Sequence, residues 1–365
     1  MLSPTTKLVF LSNIPAPYQV KFAGALQPYF DTQFWFYDEI RGRDSWWKVP
    51  LGAHCRIIPN VLLREKARYY TRSHITWLNE FNPDIVMLGG FSIPANYAAY
   101  RWAKKNGKKT VVLTEMSRTA GGELRGLSWE WKILRRLYKE VDAVFTINEE
   151  SFHQFKEIIG FGEKVKQARY AADLEPYFRH EARAQKETYT VLFANRLTEI
   201  YNPLAAIRIF QKARQQYPNL LMKMNAAGPL RGACENLIKE LELENHISFL
   251  ESIPAWDDLH LVYQSSDILL LPANFSAGNF TICEAMASGM GIIISDKILG
   301  NGRDIINEVN GFNLPLNEDL FGEKLLEYIR HPNLFAEHAA HNRPLVRPLG
   351  MLGTAQLFAS LLNNI

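Results

Sequence analysis

The sequence has little that would suit an oxidising or metal-rich setting. Only three of its 365 residues are cysteines. Cys55, Cys234 and Cys283 are far apart, odd in number and without C-x-x-C spacing, which argues against a disulfide framework and a zinc site. They are expected to be buried, inert thiols. No D-x-D motif stands in a plausible metal setting, so no metal is expected. No run reaches the roughly 18–20 apolar residues that a membrane span needs. The N-terminus carries Lys7 and a short apolar run rather than a signal peptide pattern. The formal net charge of +3 is too small to argue for nucleic acid. Low-complexity segments and short-period repeats are also missing. A cytoplasmic protein is expected, with contact at a membrane face left open.

What is present is globular and alternating. Hydrophobic residues make up 47% and charged residues 22%, and the length suits two domains. Short apolar runs ("KLVFLS", "DTQFWFY", "DIVMLGG", "KKTVVLTE", "DAVFTIN") alternate with segments of helical spacing, among them 65–81 and 127–140. Continuous apolar strands between helices predict a parallel sheet covered on both faces. The charged stretch "RHEARAQKE" lacks apolar anchors and reads as a linker. After it the alternation restarts, from "TYTVLFANR" to "GFNLPL" and "EDLFGEKLLEYIRHP". The expected division is a first domain at 1–178, a linker at 179–188, a second domain at 189–345 and a closing helical segment at 346–365. Each half predicts a doubly wound α/β sheet, and such sheets bind ligands beyond the carboxyl ends of their strands. Two of them facing each other leave a cleft.

The stretch "ANFSAGNFTICEAMASGMGIIISD", 273–296, is the most informative. Thr281 and Glu284 have capping-box spacing, with Gly289 as a helix stop. On that reading Glu284 caps its own helix and complements its dipole. The same geometry offers free N–H groups at residues 279–282 to an anion such as phosphate, and a carboxylate to ribose hydroxyls. Local residues leave both readings open.

With its flanks, "LLLPANFSAGNFTICEAMASGMGIIISD" resembles the donor-site signature of retaining glycosyltransferases of family 4, whose usual pattern is P-S-x-x-E-G-F-G-(x)4-E-A-M-A-x-G-x-P-V-I. Pro272, Glu284, Ala285, Met286, Ala287, Ser288, Gly289 and Asp296 fall in register. "VLFANRLTEIYNP", "AAGPLR", "SSDILLLP", "VDAVFTINEES" and "YAADLEPYF" extend the similarity along nearly the whole chain. The resemblance implies the GT-B fold, two Rossmann-like domains facing each other across a cleft, with the last helix crossing back to the first domain. It implies that Arg196 neutralises the donor diphosphate and Glu284 binds the ribose. Gly278, Asn279, Phe280 and Thr281 match the loop that meets the sugar and phosphate. The leaving diphosphate would help deprotonate the acceptor, without a metal or other cofactor.

Three polar positions depart from the pattern. Ser276 stands where a glutamate grips the donor sugar, Tyr201 where a lysine meets the diphosphate, and Met116 where a histidine is common. The first-strand exit reads "NIPAPY" rather than Gly-Gly. "SNIPAPY" and "LTEMS" resemble a branch that starts I-P-x-P-Y and carries a glutamate after the Thr-rich strand. That resemblance implies that Glu115 binds acceptor or donor hydroxyls and joins Arg196 and Glu284 as a catalytic candidate, with Asn13, Pro15 and Tyr18 also on the acceptor side. Glu115 also fits a strand-end carboxylate paired with a cation such as Arg118. Arg231 and Arg303 are stand-ins for the missing lysine or solvated surface arginines.

In 127–140, Leu127, Trp131, Leu134, Leu137 and Tyr138 lie near one stripe, amid Arg125, Lys132, Arg135, Arg136 and Lys139. Such a helix fits an anionic membrane interface. It fits an ordinary domain helix with a core stripe and wet charges as well. The expected function is a retaining hexosyl transfer from a nucleotide diphosphate sugar to a glycan or lipid-linked glycan in surface polysaccharide synthesis. Two alternatives share the architecture: a non-catalytic nucleotide-sugar-binding or partner protein, and a nucleotide-sugar epimerase.

Overall fold

A computed structural model describes residues 5–40, 45–62, 68–115, 129–181, 183, 185–251, 253, 255–276, 279–300 and 305–365. The chain divides into two compact units, 1–171 with 351–365, and 172–350.

The first unit is built on seven parallel strands. In chain order they are β1 (Lys7–Ser12), β2 (Asp31–Phe36), β3 (Cys55–Ile57), β4 (Ile85–Gly89), β5 (Lys109–Thr114), β6 (Ala143–Thr146) and β7 (Val165–Gln167). Their order across the sheet is β3-β2-β1-β4-β5-β6-β7. Strand side chains alternate between faces, and both faces are apolar. Val9, Leu11, Val86, Leu88, Val112 and Val144 join one core cluster. Leu8, Phe10, Ile85, Met87, Val111 and Phe145 join the other. Full burial of one such side chain contributes about 1.5–3 kcal/mol. The connecting helices are α1 (Pro17–Ala25), α2 (Ser73–Phe81), α3 (Pro94–Lys105), α4 (Trp129–Leu137) and α5 (Glu149–His153). Both α1 and α3 open on proline in the first turn, where its missing N–H costs nothing.

The second unit repeats the plan with six parallel strands. These are β8 (Tyr189–Phe193), β9 (Leu220–Asn225), β10 (Ile247–Leu250), β11 (Ile268–Leu271), β12 (Gly291–Ser295) and β13 (Phe312–Leu314), ordered β10-β9-β8-β11-β12-β13. The helices are α6 (Pro203–Gln216), α7 (Arg231–Glu240), α8 (Leu259–Gln264), α9 (Phe280–Ser288), α10 (Glu318–Arg330) and α11 (Asn333–Val346). The last helix, α12 (Met351–Asn363), belongs to the first unit. Its Phe358 packs edge-on against Phe22 at 5.1 Å and Phe145 at 5.6 Å. Among the described residues no helix is long and apolar enough to cross a membrane.

Four expectations change. The helix expected over 65–81 is regular only in α2. Leu62 and Tyr70 instead form an antiparallel bridge, and Tyr69 stacks on Tyr37, so residues 69–70 are extended. Residues 65–67 lie outside the described residues. The boundary falls at 171/172 rather than 178/179, and 346–350 stays with the second unit. The supposed linker is anchored, by polar rather than apolar groups. The Arg183 side chain is 8% exposed and donates to the carbonyls of Tyr263, Ser266 and Ser288, while Lys186 Nζ lies 2.7 Å from Asp267. Finally, Trp131 and Tyr138 of the 127–140 stripe belong to the core and Leu134 packs on it, but Leu137 is exposed. Arg125 and Leu127 lie outside the described residues.

Candidate functional site

In each sheet the strand order reverses once, between β1 and β4 and between β8 and β11. Loops leaving the carboxyl ends there diverge and open a ligand crevice. In the second unit four such loops are tied together. Leu197 N–H donates to Ala227 O at 2.8 Å, and Leu230 N–H to Leu197 O at 3.0 Å, joining the β8 and β9 exits. Asn274 N–H donates to Ile200 O at 2.7 Å, joining β11 to β8. Leu299 N–H donates to Ser276 O at 2.9 Å, joining β12 to β11. Gly228 makes the first tie possible: its φ is +148°, and a Cβ there would lie 2.3 Å from Leu197 O. Only glycine accepts both conditions.

Glu284 sits in α9 above this junction. The capping box is not formed. Asn279 is the N-cap and its Oδ1 accepts from Thr281 N–H at 3.0 Å, so Glu284 is two residues too deep to reach back to the helix start. The carboxylate is 7% exposed and accepts the Tyr263 hydroxyl at a short distance. The Tyr177 hydroxyl also bonds it. Burial pushes its pKa up to about 7, the two phenols oppose that rise, and the Asp173 charge adds to it. Both phenols are themselves held well above their usual range, by burial and then by the Glu284 charge. Neither tyrosine stood out in the sequence, although Tyr177 lies within "YAADLEPYF" and Tyr263 stands just before "SSDILLLP".

Arg196, just past β8, is exposed, and no carboxylate among the described residues lies within ion-pair distance. An exposed, unpaired guanidinium can grip two oxygens of an anion at once. Nearby loops carry three buried polar atoms without a hydrogen-bond partner among the described residues: Asn195 Oδ1, Thr198 Oγ1 and Asn279 Nδ2. A buried polar atom without a protein partner is open to a water or a ligand. Phe280 and Thr281, half-buried, form the first turn of α9. Gly278 lies outside the described residues. Ser276 is 5% exposed, and its backbone is bridged to Ile298. Tyr201 packs against the core of this unit. Arg231 is taken by Glu235 and Glu251, each at 2.7 Å, over the Phe249 ring. Arg303 lies outside the described residues.

The first unit has a second carboxylate and tyrosine cluster. Glu115 follows β5 directly and is exposed, and Tyr170 donates its hydroxyl to Glu115 Oε1 at 2.8 Å. Tyr18, in the first turn of α1, packs its ring 5.7 Å from Tyr170. Burial and then the Glu115 charge hold both phenols above their usual range. Asn13, at the β1 exit, is exposed and its Oδ1 accepts from Ile14 N–H at 2.9 Å, while Pro15 is buried. Met116 and Arg118 lie outside the described residues. Among the described residues no group of three or more His, Cys, Asp or Glu side chains could hold a metal ion.

Residues 176–342 match the family described as glycosyl transferases group 1. That span includes Tyr177, Arg196, Tyr263 and Glu284. An uncharacterized glycosyltransferase of Haemophilus influenzae is 26% identical over 171 residues, 46% of this chain and 47% of that protein. The match therefore spans less than half of that relative's length. Sucrose-phosphate synthase from Thermosynechococcus elongatus superposes with a TM-score of 0.74 at 12% identity, over 99% of both chains. Anabaena HepE, in complex with UDP and glucose, superposes with a TM-score of 0.73 at 14% identity, over 99% of this chain and 100% of that one. Two parallel Rossmann-like sheets with these neighbours make the fold GT-B.

Proposed function

We propose that the chain is a retaining glycosyltransferase that moves a hexose-type sugar from a nucleotide diphosphate sugar to a glycan or lipid-linked glycan in surface polysaccharide synthesis. One observation carries the reading: the β8 and β11 exits are tied by backbone hydrogen bonds, Arg196 at the first has no carboxylate within ion-pair distance among the described residues, and the helix after the second carries the buried Glu284. In this reading Arg196 takes the diphosphate and offsets the charge that grows on it as the glycosidic bond breaks. The first turn of α9, with its positive dipole end, faces the same anion. Glu284 accepts hydroxyl hydrogen bonds from the ribose. The leaving diphosphate, held in place, assists removal of the acceptor proton. HepE is bound to UDP and glucose, which makes uridine diphosphate the first nucleotide to test.

On the first unit, Glu115, oriented by Tyr170, accepts from acceptor hydroxyls, with Asn13 and Tyr18 beside it. The same unit meets an anionic lipid surface through α4. Trp129, Ile133 and Leu137 recur at i, i+4 and i+8 and are exposed by 70%, 46% and 38%. Lys132, Arg135, Arg136 and Lys139 are exposed around them. Positive charge beside an apolar stripe complements anionic headgroups over acyl chains.

The test is donor hydrolysis and transfer with the full chain, across uridine, guanosine and adenosine diphosphate sugars. Arg196→Ala and Glu284→Ala should each lower turnover by about 100-fold or more. Wild-type turnover unaffected by both substitutions overturns the site. Nucleotide stabilisation without turnover across a broad panel makes the protein a binder. A free-sugar isomer formed without acceptor makes it an epimerase.

A further inference from the structure

We propose that Tyr263 and Tyr177 are positioning residues that aim the Glu284 carboxylate at the donor's ribose diol, and that only the ionised carboxylate takes the donor. This rests on the donor-site reading above. Three features of the clamp carry it. Both phenols approach from the interior: Tyr263 is 1% and Tyr177 4% exposed, and their rings meet edge-on at 5.2 Å. The two donors therefore hold the carboxylate from below. A carboxylate has about four lone-pair positions, so two phenols leave acceptor positions for a vicinal diol. The Thr281 side chain also lies against the Tyr263 phenol and acts to lower its pKa. A phenol carries a single proton, and Tyr263 gives that proton to Glu284. The relay Thr281, Tyr263, Glu284 thus runs from the first turn of α9, where the phosphates would lie, to the ribose grip.

No described cation pairs with Glu284, so its ionisation depends on these phenols. The groups around α9 are few. Tyr263 comes from α8, Tyr177 and Asp173 from the segment before β8, and Cys283 lies on α9 itself. Between Gly291 and Ser295, β12 brings nothing titratable. From α11, Arg343 packs on Gly289 at the far end of the helix. His180 bonds Ser288 Oγ at 3.0 Å and His260 at 3.1 Å, and Arg183 donates to Ser288 O at 2.9 Å, also at that far end. With the carboxyl pushed up to about 7 by burial, its charge changes near neutral pH. A neutral carboxyl gives up acceptor positions and the charge that strengthens each bond from the ribose.

The full chain is first titrated calorimetrically with uridine, guanosine and adenosine diphosphates. The nucleotide that binds is then compared with its 2′,3′-dideoxy analogue between pH 5.5 and 9, for wild type, Tyr263→Phe and Tyr177→Phe. Wild-type affinity for the ribonucleotide should fall about tenfold per pH unit below 7, beyond any fall shown by the analogue. Each Phe variant should move that limb upward by about one pH unit and recover affinity at pH 9. Thermal melts check that each variant folds, and either variant alone suffices for the comparison. A limb unmoved in a folded variant overturns the proposal, as does identical pH dependence for the dideoxy analogue. Failure of the wild type to bind any of the three nucleotides overturns the donor-site reading itself.

Discussion

At Glu284 function and stability pull in opposite directions. Its folded pKa, about 7, lies above the ordinary value of 4.5. A group raised in this way contributes stability in its protonated form, fully present below the unfolded value and lost as pH rises through the folded one. Above pH 7 the fold therefore carries a buried charge whose cost, with the carboxyl raised from 4.5 to about 7, is on the order of 3 kcal/mol. Replacing Glu284 with Gln removes the charge and keeps the shape. Glu284→Gln should raise the melting temperature by roughly 5 °C at pH 8 and by nothing at pH 4. Thermal melts at the two pH values check this, and a variant less stable than wild type at pH 8 counts against it. The sequence singles out Glu284 and Arg196 because both fall in register with a motif. It did not make the clamp legible. Tyr177 lies in another motif piece far upstream, and the capping-box spacing at Thr281 and Glu284 pointed to a local partner. The structure starts the helix at Asn279, which frees the carboxylate for tertiary partners.

Helix α4 shows what periodicity can and cannot decide. A 3.6-residue repeat finds an apolar stripe, but α4 carries two. One, Trp131 and Leu134 with Tyr138 just past the helix end, packs into the core with Phe91 and Phe155. The other, Trp129, Ile133 and Leu137, is exposed. Leu137 was grouped with the wrong stripe because the stripes adjoin. The separation makes the membrane proposal testable without unfolding the protein. Ile133→Ser with Leu137→Ser should leave the melting temperature nearly unchanged, since surface substitutions usually act within about 0.5 kcal/mol. The same pair should lower binding to anionic vesicles about tenfold at low salt, because each removes apolar contact with the acyl region. Vesicle flotation measures this. Wild-type protein that fails to float with anionic vesicles at low salt sinks the idea, and so does a double variant that floats as well as wild type.

Across the whole molecule, the two βα halves were legible because their central strands are continuous apolar runs that admit one reading. What escaped was short or polar. Edge strands β3 and β7 have three residues each, too few for a pattern. Helix α11 holds Pro344, a residue that ordinarily argues against a helix interior. The segment 179–188 is held by Arg183 through carbonyls, which no hydrophobic pattern reports. These details decide which pieces of chain can stand alone. The second unit draws its main core entirely from 172–350. The first unit does not end at 171, because α12 lays Ala355, Phe358 and Leu362 over one face of its sheet. A fragment of residues 172–350 should therefore melt cooperatively and keep the nucleotide response of the full chain. A fragment of 1–171 should lose several buried side chains of packing, at about 1.5–3 kcal/mol each. It should unfold or aggregate unless 351–365 is supplied, fused through a flexible linker or added as a peptide. Circular dichroism melts of the three samples decide the point. If 1–171 melts at the same temperature with and without 351–365, then α12 is not an integral part of the first unit's core.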